Sequence, residues 1–431
     1  MRRLAERLLL GVVFLLPWQT AWIYGQAFVA GEPFSFGVMN LYVVEGLILL
    51  TVTLILLFGD RDKSPEGTNV WRWMLSFLTF AALSSLWSQN ASLVISQLVH
   101  LLSASALFWI LLCSRVKTRL VVWAFVLGLM IPTLLGVWQV VVGSSPAMTI
   151  LGLAPRDAQT LGDAVLMVGG ERILRAYGSF PHPNIFGGYL AMGLVGIGWL
   201  WRAAKYRERQ WLSVVGLILF VGLVLTFSRS AWLGLIVVSM MLLARRQVNI
   251  PTSLRGWLAW VRGAKLGSAL IILVVALLSP LIMSRFSADA SIESRSLTQR
   301  VEQYDEFGGV FEDHVFVGAG LHNYPLALEQ VDPGRAWWEY QPVHNVWLLV
   351  LSELGILGLL IGLRSLWSVI RSNTKRPIGH FVLGGLFVLA PLFTISLFDH
   401  YLWTFWPGLA LFAISLAMTY RIHNTYETKN P

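Results

Sequence analysis

Apolar residues in this chain arrive in blocks of roughly 17–25, the length that crosses a hydrocarbon core. The 431 residues are 56% hydrophobic and 13% charged, where a soluble domain carries about 25% charge. Mean hydropathy is +0.66. The expected fold is all-α: one polytopic transmembrane helical bundle over 1–431, of about twelve helices, with a long, partly helical external loop. Expected spans are Leu8–Tyr24, Gly37–Phe58, Trp71–Trp87, Leu93–Cys113, Leu120–Val142 and Ile185–Trp201, then Trp211–Phe227, Ala231–Ala244, Leu266–Met283, Asn345–Leu363, Phe381–Phe398 and Tyr401–Tyr420. The start, MRRLAERLLLGVVFLLPW, has the charged and apolar parts of a signal peptide without a small-residue cleavage site, and reads as an uncleaved first helix.

Lysine and arginine orient the bundle. With the amino terminus inside, 24 of the 32 fall in cytoplasmic segments, and the eight outside are all arginine. Both termini are then cytoplasmic. The net charge of +9 is mostly a topology signal, with membrane lipids as the partner and no basic run suited to nucleic acid. Cys113 stands alone, so neither an intrachain disulfide nor a CxxC metal site is available. No internal repeat supports an inverted-repeat transporter. Two external segments are long, 143–184 and 284–344, and long loops are usually functional. The second contains SLTQRVEQYDEFGGVF. There Leu297, Val301, Tyr304 and Phe311 have near-helical spacing, for an amphipathic helix on the membrane surface or over a cavity.

Charges at membrane spans are expensive and mark candidate sites. Arg229, in LVLTFSRSAWLGL, either snorkels to headgroups or binds an anion at a tight re-entry turn. His344, in QPVHNVWLLVLSELGILGLL, either caps a helix together with Asn345 or exchanges a proton near neutrality. Glu353, two and a half turns deeper, is placed to orient a side chain or to bond backbone. Arg295 and Arg300 lie in a loop segment, 284–343, with four arginines against ten acids; they form surface ion pairs or turn inward toward a phosphorylated substrate. The acids fit no calcium loop, and no metal site is expected. GxSxG, HExxH, Walker A and GxGxxG are all absent. In SFPHPNIFGGYL the prolines fix an extended entry into a helix, Gly187 and Gly188 permit close packing, and His182 reads as a turn residue.

SFPHPNIFGGYL, LVLTFSRSAWLGL, HVFVGAGLHNYP and VHNVWLLVLSELGILGLL, in this order over 175–360, resemble four signatures of the O-antigen ligase and polymerase superfamily. The resemblance implies a metal-independent, cofactor-free glycosyltransferase of the bacterial inner membrane. It would take a polyprenyl-diphosphate-linked glycan donor and a glycolipid acceptor at the external face. It implies catalytic roles for Arg229, His344 and a loop arginine, Arg300 ahead of Arg295. Substrate contacts are expected from Arg295, Arg175, Asn345, Glu353, Asn184 and Asp399. A surface-polysaccharide polymerase, a protein-glycosylating relative and a glycolipid transporter are the rival readings.

Overall fold

The computed structural model describes residues 2–58, 68–246, 292–372 and 378–427, together with Ser279. The chain is a mostly helical membrane protein. Among the described residues, five helices are long and apolar enough to cross a membrane: Ala91–Cys113, Thr118–Val142, Pro183–Arg202, Tyr206–Thr226 and Val346–Ile370. Shorter apolar helices lie at Val43–Phe58, Val70–Leu86, Arg229–Met241 and Phe387–Ser396. The expected span Leu266–Met283 lies almost wholly outside the described residues.

The amino-terminal region departs from expectation. Helix α1 (Arg2–Leu15) stops short of Pro17, and Leu8–Tyr24 is not one span. The chain enters an antiparallel hairpin, β1 (Ala21–Val29) and β2 (Glu32–Tyr42), before α2 (Val43–Phe58), so the second span begins six residues later than Gly37. Ala30 and Gly31, at φ 50° and 77°, form the two-residue turn whose twist matches a hairpin. Hydropathy misleads here because Trp22, Ile23, Tyr24, Phe34, Phe36 and Val38 add equally to a strand or a helix.

Helix α3 (Thr68–Leu83) leads to α4 (Ala91–Cys113), capped by Asn90, whose Oδ1 accepts the N–H groups of Ser92 and Leu93. The span expected at Leu120–Val142 is divided at Leu129 into α5 (Thr118–Gly128) and α6 (Met130–Val142). Pro132 lacks the N–H that would bond Gly128 in a continuous helix. Loop 143–184 carries two small antiparallel pairs, β3 (Ser144–Ser145) with β4 (Arg156–Asp157) and β5 (Val165–Val168) with β6 (Glu171–Leu174). Helices α7 (Pro183–Arg202), α8 (Tyr206–Thr226) and α9 (Arg229–Arg246) follow.

Beyond α10 (Ile292–Asp313) and α11 (Tyr324–Val331), helix α12 (Val346–Ser372) is broken at Gly355, φ 65° and ψ −174°. A break in lipid must have its backbone groups satisfied by protein, and residues 315–320 do this. The N–H groups of Ala319 and Gly320 donate to the Ser352 and Glu353 carbonyls at 2.8 and 2.9 Å. Those of Ile356 and Leu357 donate to the Val315 and Phe316 carbonyls at 2.9 and 3.1 Å. A Cβ on Gly355 would stand 2.3 Å from the Phe316 carbonyl carbon, and one on Gly318 2.2 Å from the Glu353 carbonyl carbon. Helix α13 (Ile378–Ser396) contains Pro391 and packs on α9. The last expected span, Tyr401–Tyr420, is interrupted: α14 (Tyr401–Thr404) gives way at extended Phe405 to α15 (Trp406–Glu427). Pro407, in the first turn of α15, is tolerated there because first-turn N–H groups have no helical partner.

Candidate functional site

The starts of α7, α9 and α12 and the turn after α13 meet at one end of the bundle, together with α10 and residues 332–344. Between them lies a cavity of about 910 Å³, lined by residues that include Arg175, Asn184, Arg229, Arg300, Gln303 and His344.

Two glycines bring the wall formed by the starts of α7 and α9 together. At Gly187 a Cβ would lie 2.8 Å from Ser228 Cβ; at Gly188 one would lie 2.0 Å from the Tyr401 hydroxyl. Helix α7 can therefore press against both the turn carrying Arg229 and the turn carrying Asp399. Thr226 ends α8, Phe227 takes the left-handed conformation at φ 50°, and Arg229 opens α9 two residues later. The guanidinium thus leaves the first turn of a helix, where the macrodipole already favours an anion. His182 caps α7, its Nδ1 accepting the Asn184 N–H at 3.1 Å, with Pro183 at the first helical position. It is a turn residue, and it also lines the cavity.

Arg175 reaches this wall from the first loop. Its Nε donates to the Thr226 carbonyl and its Nη2 to Asn184 Oδ1, both at 2.7 Å, and Asn184 Nδ2 donates to Asp399 Oδ2 at 2.7 Å. A relay of guanidinium, amide and carboxylate so ties three chain segments together. Glu171, four residues before Arg175, lies in strand β6 and not one helical turn away. Asp399 also accepts the His400 N–H at 2.9 Å, and it is buried behind Asn184.

The opposite wall is α10. The expected helix is present, but Val301 and Tyr304 of its apolar stripe are 63% and 53% exposed. Arg300, Gln303 and Glu306 line the cavity instead, and Val310 is buried. A helix over a polar cavity presents its polar side inward. The Arg295 backbone lies in the first turn of α10, and its side chain is outside the described residues. Arg300 lines the cavity.

Gln303 Oε1 accepts the His344 backbone N–H at 3.2 Å and lies 2.9 Å from His344 Nδ1. The backbone donor requires this atom to be the amide oxygen, so Nδ1 must carry a hydrogen to bond it. That leaves Nε2 as the basic nitrogen. Burial holds the His344 pKa below its usual value, with Asp399 pulling upward and Arg300 downward. Burial and the nearby Arg175 charge hold His182 at about 3. Both rings are neutral at pH 7.

Two expected site residues stand apart. Asn345 caps α12, its Oδ1 accepting the Trp347 and Leu348 N–H groups at 2.9 and 3.3 Å, and does not line the cavity. Glu353 is buried behind it and accepts from Trp403 Nε1 at 2.7 Å and from the backbone of His322 and Tyr324. It anchors the loop that fills the α12 break. Sequence reasoning missed Gln303, Arg335, Trp338 and Gln341. For Gln303 the available signal was its position one turn from Arg300, facing the same way. No group of His, Cys, Asp and Glu suited to a metal occurs among the described residues.

No curated protein matches the chain. A family model described as O-antigen ligase matches residues 214–363, which contain Arg229, Arg295, Arg300, His344 and Glu353. Arg175, His182, Asn184 and Asp399, which complete the wall formed by the starts of α7 and α9, lie outside that stretch. The matched stretch contributes the Arg229 turn, the α10 wall and the His344 helix start to one cavity, and over that stretch the chain is similar to the O-antigen ligase family.

Proposed function

We propose that the protein is a metal-independent glycosyltransferase of the O-antigen ligase type. It moves a glycan from a polyprenyl-diphosphate carrier to a hydroxyl of lipid A–core on the external face of the inner membrane. The observation that carries this reading is the convergence of Arg175, Arg229 and Arg300, from three separate segments, on a cavity that also holds neutral His344.

The acceptor oxygen attacks the anomeric carbon while His344 Nε2 takes its proton. The bond from that carbon to the carrier oxygen breaks, and its electron pair stays on the diphosphate. Charge builds on the leaving group as the bond breaks, so guanidinium groups aimed there favour the transition state over the ground state. Arginine suits the task because its planar fork can bond two phosphate oxygens together. The carrier's lipid tail stays in the bilayer beside helices with little extramembrane mass.

A polymerase would use the same donor but a carrier-linked acceptor, and one feature favours that second reading: the first loop sends an arginine into the cavity. Only one of its three does so. Arg156 pairs with Asp163 at 2.8 Å, and Arg172 donates to the carbonyls of Ala158 and Thr160. Purified protein given polyprenyl-diphosphate oligosaccharide should consume donor only when lipid A–core is present, making one conjugate. A ladder of longer carrier-linked chains formed without lipid A–core would overturn the ligase reading in favour of the polymerase.

A further inference from the structure

A diphosphate held by Arg175, Arg229 and Arg300 fills only part of the cavity of about 910 Å³. The side of the cavity formed by α10 and residues 335–341 carries Glu302, Glu306 and Glu339 beside Arg300 and Arg335, and Arg335 is paired with Glu306. Arg335 is already engaged by Glu306 and Asp332, so beside Trp338 the neighbouring charge is the Glu339 carboxylate, and that part of the wall suits a neutral group rich in hydroxyls better than a phosphate. Trp338 lines the same side and is 57% exposed. An indole presented among carboxylates to a polar cavity suits a ligand with both C–H and O–H faces. The electron-rich ring face attracts the weakly positive C–H groups of a pyranose. Glu339 and Gln341 flank it with acceptors and a donor for hydroxyls.

The arc is braced before any ligand arrives. Tyr340 is buried; its hydroxyl accepts the Arg335 N–H and donates to the Asp332 carbonyl, both at 3.1 Å. Arg335 in turn bonds Asp332 and Glu306. Gln341 Nε2 donates to the Trp338 carbonyl at 2.7 Å, and Trp337 meets the Trp338 ring edge-on, centroids 5.5 Å apart at 82°. A platform already held in place loses little entropy on binding.

We propose that Trp338, with Glu339 and Gln341, forms a pyranose-stacking subsite for a ring of the glycan, beside the His344 end of the cavity. The assignment rests on the glycosyl-transfer reading for its role and on the cavity wall for its chemistry. The ring belongs to the donor glycan or to the acceptor glycolipid, and the test separates the two.

Detergent-purified protein is examined by saturation-transfer NMR with hexose- and heptose-containing oligosaccharides released from lipopolysaccharide. Trp338→Ala should weaken binding about tenfold, the scale of one lost aromatic contact, while Trp338→Phe keeps most of it. Binding of sugar-free polyprenyl diphosphate should not change in either variant. In transfer assays, a raised KM for the glycan-bearing donor assigns the ring to the donor, and a raised KM for the glycolipid assigns it to the acceptor. Oligosaccharide binding equal in Trp338→Ala and wild type, or absent from wild type, overturns the subsite. Trp338-dependent binding without any transfer overturns the transferase reading and leaves the subsite standing. Transfer with unchanged KM values in Trp338→Ala does the reverse.

Discussion

One side-chain oxygen, Gln303 Oε1, takes both the backbone N–H of His344 at 3.2 Å and its imidazole Nδ1 at 2.9 Å. This double acceptance fixes the ring's orientation and its tautomer, and directs the basic Nε2 away from α10. Gln303 is therefore a positioning residue for the proposed base. Glutamate at 303 would set a negative charge against Nδ1 and raise the His344 pKa. Because the base must be neutral to accept a proton, the acidic limb of the pH–rate profile should move to higher pH in Gln303→Glu. Gln303→Leu should lower kcat with little change in KM. An unmoved limb in the glutamate variant would show that His344 does not govern the profile.

Four histidines outside the helices, His182, His322, His344 and His400, give stability a sign with pH. Burial lowers the pKa of His182, to about 3, and of His322, to about 4, and lowers those of His344 and His400. Each depressed histidine binds a proton more readily unfolded than folded. Stability is therefore full above the unfolded value near ~6.5 and is lost as pH falls below it, by up to about 1.4 kcal/mol per pH unit per histidine. Thermal melts of the detergent-solubilised protein should decline steadily from pH 7 to pH 5. A flat melting temperature over that range would contradict the neutral state of these rings.

Arg229→Ala and His344→Ala should each reduce transfer by about 10²- to 10⁴-fold, the usual range for a lost charge stabiliser or base. Melting temperature should stay close to wild type. Arg229→Lys should remain poor, because an ammonium cannot bond two phosphate oxygens in one plane. Single-turnover assays on the purified variants measure this, and near-normal transfer by His344→Ala would remove it as the base. Arg300→Ala should behave like Arg229→Ala, with Arg295→Ala closer to wild type.

Gly318 and Gly355 should tolerate no side chain. Both have positive φ, and a Cβ at either would strike the other segment's backbone within 2.3 Å. Alanine at either position should cost more than the ~1–3 kcal/mol of a strained backbone residue alone, because the loop seated in the α12 break must shift as well. Gly198→Ala, in mid-helix with nothing within 4 Å of the added carbon, is the control and should be neutral or slightly stabilising. Yield and melting temperature of the three variants, measured side by side, decide the matter.

Sidedness can be tested with single cysteines in a Cys113→Ser background. Cysteines at Thr160 and Gln330, both exposed, should react with an impermeant thiol reagent in intact spheroplasts, and one at Lys205 should not. Labelling at Lys205 with protection at Thr160 would invert the proposed orientation.

By itself the sequence determined the membrane class, most helix positions and which residues to look for at a candidate site. Apolar block length and the distribution of arginine and lysine are properties of the chain read in order. The helices Ala91–Cys113, Pro183–Arg202 and Tyr206–Thr226 fall close to where their apolar runs lie. Arg229 and His344 stood out because a charge or an imidazole at a span is costly unless it is used, whereas Arg300, in the external loop, was given a catalytic role only by the family resemblance. Tertiary structure alone decided what depends on partners distant in sequence. The hairpin at 21–42 exists because its strands pair with each other, which hydropathy cannot register. The break at Gly355 is stable only because residues 315–320 supply its missing hydrogen bonds. The inward side of α10 is the polar one because the space beneath it is polar, which the amphipathic pattern of α10 alone could not reveal. Gln303 became part of the site only when α10 came to rest against His344, 41 residues further along the chain. A hydrogen bond of that span is set by packing: local spacing put Gln303 on the Arg300 side of α10 but could not name His344 as its partner.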